Sequence, residues 1–337
     1  MTLTLEDIAR LSGVSRSTVS RVINGDQKVR EETRLQVLEV IQEHNYQPNI
    51  AARRLAAGRT NVIGLVIPTG VGNIFNDPYF SRLIQGVSAE CNAREFSVML
   101  WLAEPEYERR TIRQIINNGI VDGVVVSSTQ IDDPIVNSLY ESGIPFVLIG
   151  HHPTLNITSV DIDNIQAARN ACTHLFTCLP ARLRPATITG PQNTMAGRDR
   201  LTGFLQAIAE NNLQNNPDLI TEGDFSESGG YLAMQILLPA RPDAVFVASD
   251  SMAAGAFRAI REAGLNIPKD ISVVGFDDVA VAAQLDPPLT TIRQPIHRMG
   301  TQAVEMLIQI VQQTEKQPRQ IILPSELIIR ASSGYNH

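Results

Sequence analysis

The segment Arg16 to Ile23 reads RSTVSRVI, and at helical spacing Val19, Val22 and Ile23 share one face while Arg16, Ser17, Ser20 and Arg21 point elsewhere. A guanidinium at Arg16 or Arg21 can donate two parallel hydrogen bonds to guanine, and the Ser17 hydroxyl can serve either kind of base edge. A helix that presents such groups from its first turns, braced by a preceding helix, meets the requirement for reading a DNA major groove. A helical hairpin with a solvated polar face would carry the same pattern. Other chemistries are poorly served. His151 and His152 are adjacent, and neighbours in an extended segment point to opposite sides, so they cannot chelate one metal ion together. Gly70-Val71-Gly72 begins like a dinucleotide-binding turn, yet Phe75 stands where the third glycine belongs. Cys91, Cys172 and Cys178 are odd in number and lack CxxC spacing, which argues for buried thiols over disulfides or zinc. With no GxSxG elbow and no HExxH helix, neither an enzyme nor a cofactor is expected.

The reading helix needs a frame, and the first sixty residues provide one. Thr4 can cap a helix with Asp7 as its capping-box partner, placing Ile8 and Leu11 on one face. Gly13 breaks that helix, Ser15 can cap the second, and Asn24 and Gly25 stop it. A third helix is expected from about Arg30 to His44, burying Leu35, Leu38 and Ile41. The stretch NYQPNIAARRLAAGR that follows is a linker with a short helix, which Asn49 can cap and Gly58 stops. From Val62 onward the pattern changes. The runs VIGLVIP, FSVMLWL, GVVVSS, PFVLIG, TSVDID, PATITG, AVFVAS and ISVVGFDD are apolar on both faces and alternate with helical segments. Parallel strands covered on both sides look like this, and the ligands of such open α/β sheets bind beyond the carboxyl ends of the strands.

The 337 residues, 43% hydrophobic, suffice for two or three domains. No stretch approaches the 18 or more consecutive apolar residues of a membrane span, and MTLTLEDIAR lacks the basic start of a secretory signal, so a soluble cytoplasmic protein is expected. Charge is uneven. Residues 1–60 hold nine Lys and Arg against seven Asp and Glu, and the rest holds 19 against 28. Contact with nucleic acid must therefore come from a local patch of the head, since the body as a whole is acidic.

The motifs become specific when taken together. GVS at 13–15, TVSRVIN at 18–24 and NYQPNIAARRLAAGRT at 45–60 are followed by NDPYF at 76–80, VDGVVVSS at 121–128, SVDIDN at 159–164 and GRDRLTGF at 197–204. VASDSMAAGAFRAI at 247–260, DISVVGFDD at 270–278 and PPLTTIRQP at 287–295 complete the set. Over nearly the whole chain the sequence resembles the lactose-repressor/galactose-repressor (LacI/GalR) family of transcriptional regulators. The resemblance implies an α/β protein: a three-helix helix-turn-helix domain at 1–47, a hinge helix and linker at 48–61, and a two-lobed periplasmic-binding-protein-like (type I) module with parallel sheets. Its N-lobe would comprise 62–161 and 292–321, and its C-lobe 162–291 and 322–337. It further implies a homodimer on a near-palindromic operator, with no membrane association. Thr4, Ser15, Arg16, Ser17, Thr18, Ser20, Arg21 and Asn24 would meet the DNA, as would Asn49, Ala52, Arg53 and Leu55 of the hinge. There Leu55, among small alanines, would wedge into the central base step from the minor groove.

The same resemblance places an effector between the lobes. Motif by motif, Asp77, Phe80, Asp163, Arg200, Phe225, Ser249, Asp250 and Asp277 fall on strand ends facing that cleft. Carboxylates and one arginine converging with aromatic rings suit a polyhydroxyl ligand, because each charged group can take two hydroxyls while a ring stacks on a sugar's CH face. Asp250 and Asp277 could equally be helix caps, Arg200 a structural ion pair, and the phenylalanines core. Gly150-His151-His152-Pro153 stands where the family often has an acid-arginine pair, which leans toward a maltose-like ligand. The expected function is a repressor of carbohydrate-use genes relieved by a sugar. Two alternatives are a corepressor-type regulator sensing a purine or phosphorylated metabolite and a solute-binding protein, which the head disfavours.

Overall fold

The computed structural model describes residues 3–23, 25–46, 59–68, 71–101, 119–127, 130–131, 133–178, 183–315 and 317–334. Asn24 and the hinge residues Asn49, Ala52, Arg53 and Leu55 lie outside them. The chain divides into two units, 1–60 and 61–337.

In the first unit α1 (Leu5–Leu11), α2 (Arg16–Ile23) and α3 (Glu31–Glu43) surround a core of Ile8, Val19, Val22 and Val37. The capping box is formed: Asp7 N donates to Thr4 Oγ1 at 3.3 Å, and Thr4 N donates to Asp7 Oδ2 at 3.0 Å. Ser15 Oγ accepts from Thr18 N at 3.2 Å, which leaves one fewer orphan donor at the start of α2. The expected apolar faces need correction. Leu35 is 60% exposed, Leu38 45% and Leu11 46%, while α3 turns Val37, Val40 and Ile41 inward. At 3.6 residues per turn, Leu38 and Leu35 sit about 100° and 160° round the helix from Val37, off the inward stripe. Val37→Ala should therefore destabilise the head by about 2 kcal/mol, and Leu38→Ala by less than about 0.5 kcal/mol. Denaturant melts of the full chain, read out by operator binding, check the contrast.

The second unit begins with β1 (Val62–Val66), α4 (Val71–Asn76), α5 (Pro78–Ala93), β2 (Ser97–Trp101), β3 (Gly123–Ser127), α6 (Pro134–Ser142), β4 (Phe146–Ile149) and β5 (Ser159–Ile162). It continues with α7 (Asn164–Thr177), β6 (Pro185–Thr189), α8 (Met195–Glu210), β7 (Ile220–Glu222), α9 (Glu227–Leu237), β8 (Ala244–Val247), α10 (Asp250–Glu262), β9 (Ser272–Asp277), α11 (Ala280–Gln284) and β10 (Thr290–Arg293). Last come α12 (Ile296–Val311), β11 (Gln320–Leu323) and β12 (Glu326–Ile328). Among the described residues the strands form two six-stranded sheets, ordered β11-β5-β4-β3-β1-β2 and β12-β10-β9-β8-β6-β7, parallel except where β12 runs against β10. Each sheet is the spine of one lobe. The chain passes between lobes after β5, β10 and β11, one or two residues beyond the expected points, because the ladders continue: Ile162 pairs with Leu323, and Arg293 with Asp277.

Helix α12 returns to the first lobe and packs along α5 so closely that a Cβ at Gly86 would lie 2.1 Å from the His297 carbonyl oxygen. Cys91 and Cys172 are buried free thiols and Cys178 is half-buried. Among the described residues no helix is long and apolar enough to cross a membrane, and no group of side chains is arranged to hold a metal ion.

Candidate functional site

The head presents its polar side chains as the pattern of α2 requires. Val19 and Val22 are locked into the core, so Arg16, Ser17 and Arg21 are held outward and exposed, with Thr18 and Ser20 half-buried beside them. Arg16 Nη1 lies 3.1 Å from Glu6 Oε1 and Arg21 Nε 4.0 Å from Asp26 Oδ2. Ser15 Oγ is 2.8 Å from both Ser17 Oγ and Thr18 Oγ1. Exposed pairs of this kind are worth little, so the arginines are tethered without being committed. The first turn of α2 has no acidic residue of its own, which favours phosphate at its N-terminus.

Between the lobes of the second unit, beyond the carboxyl ends of the strands, lies a cavity of about 930 Å³. Of the eight expected residues, Asp77, Phe80, Arg200 and Phe225 line it. Asp77 caps α5, accepting from Tyr79 N at 3.0 Å. Burial raises its pKa, opposed by that hydrogen bond, by Arg200 and by the Ser251 hydroxyl. Arg200 is fixed on every side. Its Nε donates to Asn164 Oδ1 at 3.0 Å, its Nη1 to the Ala248 carbonyl at 2.6 Å, and its guanidinium lies 3.8 Å from the Phe276 ring centroid. Phe225 has a φ of 67°, a region disfavoured for a residue with a side chain, and its ring presses on bare backbone: a Cβ at Gly190 would come within 2.2 Å of it. Strain and a required glycine thus aim one aromatic face into the cavity.

The other four expected residues are absent from the wall. Because β5 ends at Ile162, Asp163 turns outward to cap α7, accepting from Gln166 N at 2.8 Å, and it is Asp161 and Asn164 that face the cavity. Ser249 is the buried cap of α10, accepting from Met252 N. Asp250, fully buried, accepts from Val279 N at 2.9 Å and from Thr291 Oγ1 at 2.6 Å, tying α10 to the end of β9 and to β10. Asp277, with φ at 119°, sits behind the wall, 3.5 Å from Arg200 Nη1 and accepting from Gln294 Nε2 at 2.5 Å. Burial pushes its pKa up to about 7, with Arg200 opposing the rise. It positions Arg200 and Gln294, both of which do line the cavity.

Sequence reasoning misses several wall residues, among them Tyr79, His151, Asp161, Asn164 and Gln294. Asp161 and Asn164 stand within SVDIDN, close on either side of the Asp163 to which the motif points. His151 is legible there only as a poor chelator and as part of Gly150-His151-His152-Pro153. The two histidines do diverge: His151 Nδ1 meets Asp161 Oδ2 at 2.8 Å, and His152 Nδ1 accepts from Leu155 N at 3.0 Å.

A head with an exposed reading helix, followed by two lobes around a cavity lined by both polar and apolar side chains, defines a DNA-binding regulator with a small-molecule pocket. Residues 4–49 match the bacterial regulatory proteins of the lacI family, and residues 182–333 match the periplasmic binding protein-like domain. The HTH-type transcriptional regulator CelR of Thermobifida fusca is 36% identical over 334 residues, 98% of each chain. A structure of a CelR–cellobiose complex superposes with a TM-score of 0.78 at 35% identity, covering 98% of this chain and 99% of that one. The lac repressor dimer bound to operator and the anti-inducer ONPF gives a TM-score of 0.85 at 29% identity, covering 99% of both. This chain belongs to the lacI family: it is a DNA-binding transcriptional regulator and not an enzyme.

Proposed function

We propose that the cavity takes an uncharged sugar of about disaccharide size, and that this ligand relieves repression of carbohydrate-use genes by a homodimer seated on a near-palindromic operator in the cytoplasm. The carrying observation is the charge of the wall. Among the described residues, Asp77, Asp161, Asp224 and Glu227 line the cavity against Arg200 and Arg258; Arg200 is already paired with Asp277, and Arg258 lies 3.2 Å from Glu227. A phosphorylated metabolite would meet surplus negative charge. A neutral polyol meets carboxylates that accept hydroxyls, amides that both donate and accept, and Phe80, Tyr79 and Phe225 for its CH faces. The volume is at the upper end of the ~300–1,000 Å³ usual for such pockets, which leaves room for two rings. Asp77, Phe80, Arg200 and Phe225 are the effector contacts in this reading, and Thr4, Ser15, Arg16, Ser17, Thr18, Ser20 and Arg21 the DNA contacts.

A sugar bridging the lobes changes their relative angle and so the spacing at which a dimer holds its two heads. It acts only through a difference in affinity between the DNA-bound and free forms. A thermal-shift screen against cellobiose, maltose, glucose 6-phosphate and hypoxanthine tests the reading, since a ligand at 100 times its Kd stabilises by about 2.7 kcal/mol. A neutral disaccharide should raise Tm and release operator DNA. A shift confined to hypoxanthine or the phosphorylated sugar, with tighter operator binding, would replace this reading with the corepressor one.

A further inference from the structure

His151 follows β4 and faces both lobes. Its Nδ1 is 2.8 Å from Asp161 Oδ2 on β5 of its own lobe, and its Nε2 is 3.6 Å from Asp199 Oδ2 on α8 of the other. The segment leading into the same helix is touched nearby: Ile131 N donates to the Asn193 carbonyl at 2.6 Å, and Gln130 forms a bridge with Thr194, the N-cap of α8. The lobes therefore meet along one rim of the cavity, with α8, its cap Thr194 and the preceding Asn193 carrying the C-lobe side of these contacts.

The proton arithmetic of that rim is unusual. Asp161 Oδ1 accepts from Ile162 N at 2.8 Å and from Asn164 Nδ2 at 3.2 Å, which leaves Oδ2 for the ring of His151. A neutral imidazole has a single N–H. If Nδ1 donates it to Asp161, Nε2 turns a lone pair toward the Asp199 carboxylate, and the lobes repel there. One added proton, on the ring or on Asp199, makes the contact attractive.

We propose that His151 is a positioning residue that ties the two lobes together across the cavity, and that closing the lobes takes up one proton at the His151–Asp199 contact. This goes beyond the choice of ligand and does not depend on it. The facing groups all bear on it in a definable way. The hydrogen bond to Asp161 raises the His151 pKa most, burial opposes, and Asp199 raises it further. Asp199 is raised by burial and by Asp161 and Asp163, with His151 and Arg200 opposing. Both partners thus favour the protonated pair. A cation whose pKa is higher in the closed form than in the open one stabilises closure fully below the open-form value, and this is lost as pH rises through the closed-form value. The Asp161 contribution stays within one lobe and survives opening, so only the Asp199 share reports closure.

The test is histidine-ring NMR on the full-length protein without any added ligand, with the His151 signal identified by its loss in His151→Gln. His151 should titrate above about 6.5, and Asp199→Asn should move that midpoint to lower pH. Small-angle scattering should show a larger radius of gyration at pH 8 than at pH 6 in the parent, with the difference lost in His151→Gln. A midpoint unmoved by Asp199→Asn would mean the lobes do not meet there in solution. Equal radii at both pH values in the parent would uncouple the proton from closure. Either result overturns the proposal. Should His151→Gln fail to fold, the Asp199→Asn comparison still decides, because the parent signal that it moves can be assigned by elimination with the other histidines.

Discussion

Arg200→Ala should leave operator affinity within a few-fold of the parent, eliminate release by any neutral sugar that acts on the parent, and cost stability in a pH-dependent way. The guanidinium is almost wholly buried and supplies donors to Asn164 and the Ala248 carbonyl as well as charge to Asp277. Removing one partner of such a pair typically costs about 3–5 kcal/mol, because the remaining charge is stranded. Asp277 has an escape, since burial has already pushed its pKa up to about 7 and Arg200 is what opposes a further rise. In the variant it should take a proton. The folded pKa then lies far above the unfolded value of about 3.9, so the folded state is favoured at low pH and loses that advantage as pH rises through the folded value. Urea melts at pH 5.5 and pH 8 should show the larger penalty at pH 8. Equal penalties would mean that Asp277 stays ionised with some other partner and that Arg200 is not what it holds in place.

Each of the eight Val- and Ile-rich runs is a strand; seven are largely buried, as their near-continuous apolar signature implies, while β2, at a sheet edge, is only half-buried. The four strands that escape notice are β7, β10, β11 and β12, short or polar, with β11, β12 and β7 at sheet edges where one side needs no apolar cover. In the head the helices are legible but the inward face of α3 is not, since Leu35, Val37, Leu38 and Ile41 offer two overlapping apolar stripes and only packing against α1 and α2 selects one.

The cavity shows the same division. An acid at a strand end can cap the next helix or face a ligand, and its type does not distinguish these; the backbone direction after the last ladder bond does. That direction makes Asp163 a cap, whereas Asp77, which follows α4 and not a strand, is both a cap and a wall residue. The contact between His151 and Asp199 joins residues 48 positions apart on different lobes, and no local motif encodes it.

The head gives the other large effect. Arg21→Ala should weaken binding to the natural operator by about tenfold to a hundredfold, the loss of one bidentate base contact worth about 1–3 kcal/mol at 1.4 kcal/mol per decade. Arg16 and Ser17 should act on choice more than on strength. Both project from the first turn of α2, exposed, with Val19 and Val22 fixing the helix beneath them. Arg16 is held by Glu6 at 3.1 Å, but both side chains are more than 60% exposed, so the pair gives way to a base or phosphate at little cost. The double variant Arg16→Ala, Ser17→Ala should therefore still bind DNA through the remaining phosphate contacts while preferring different bases at the positions those two side chains reach. Selection from randomised duplexes reads this directly. If the double variant returns the parent's preferred sequence, α2 does not enter the groove by its first turn, and the outward set of arginine and serine is only a solvated face.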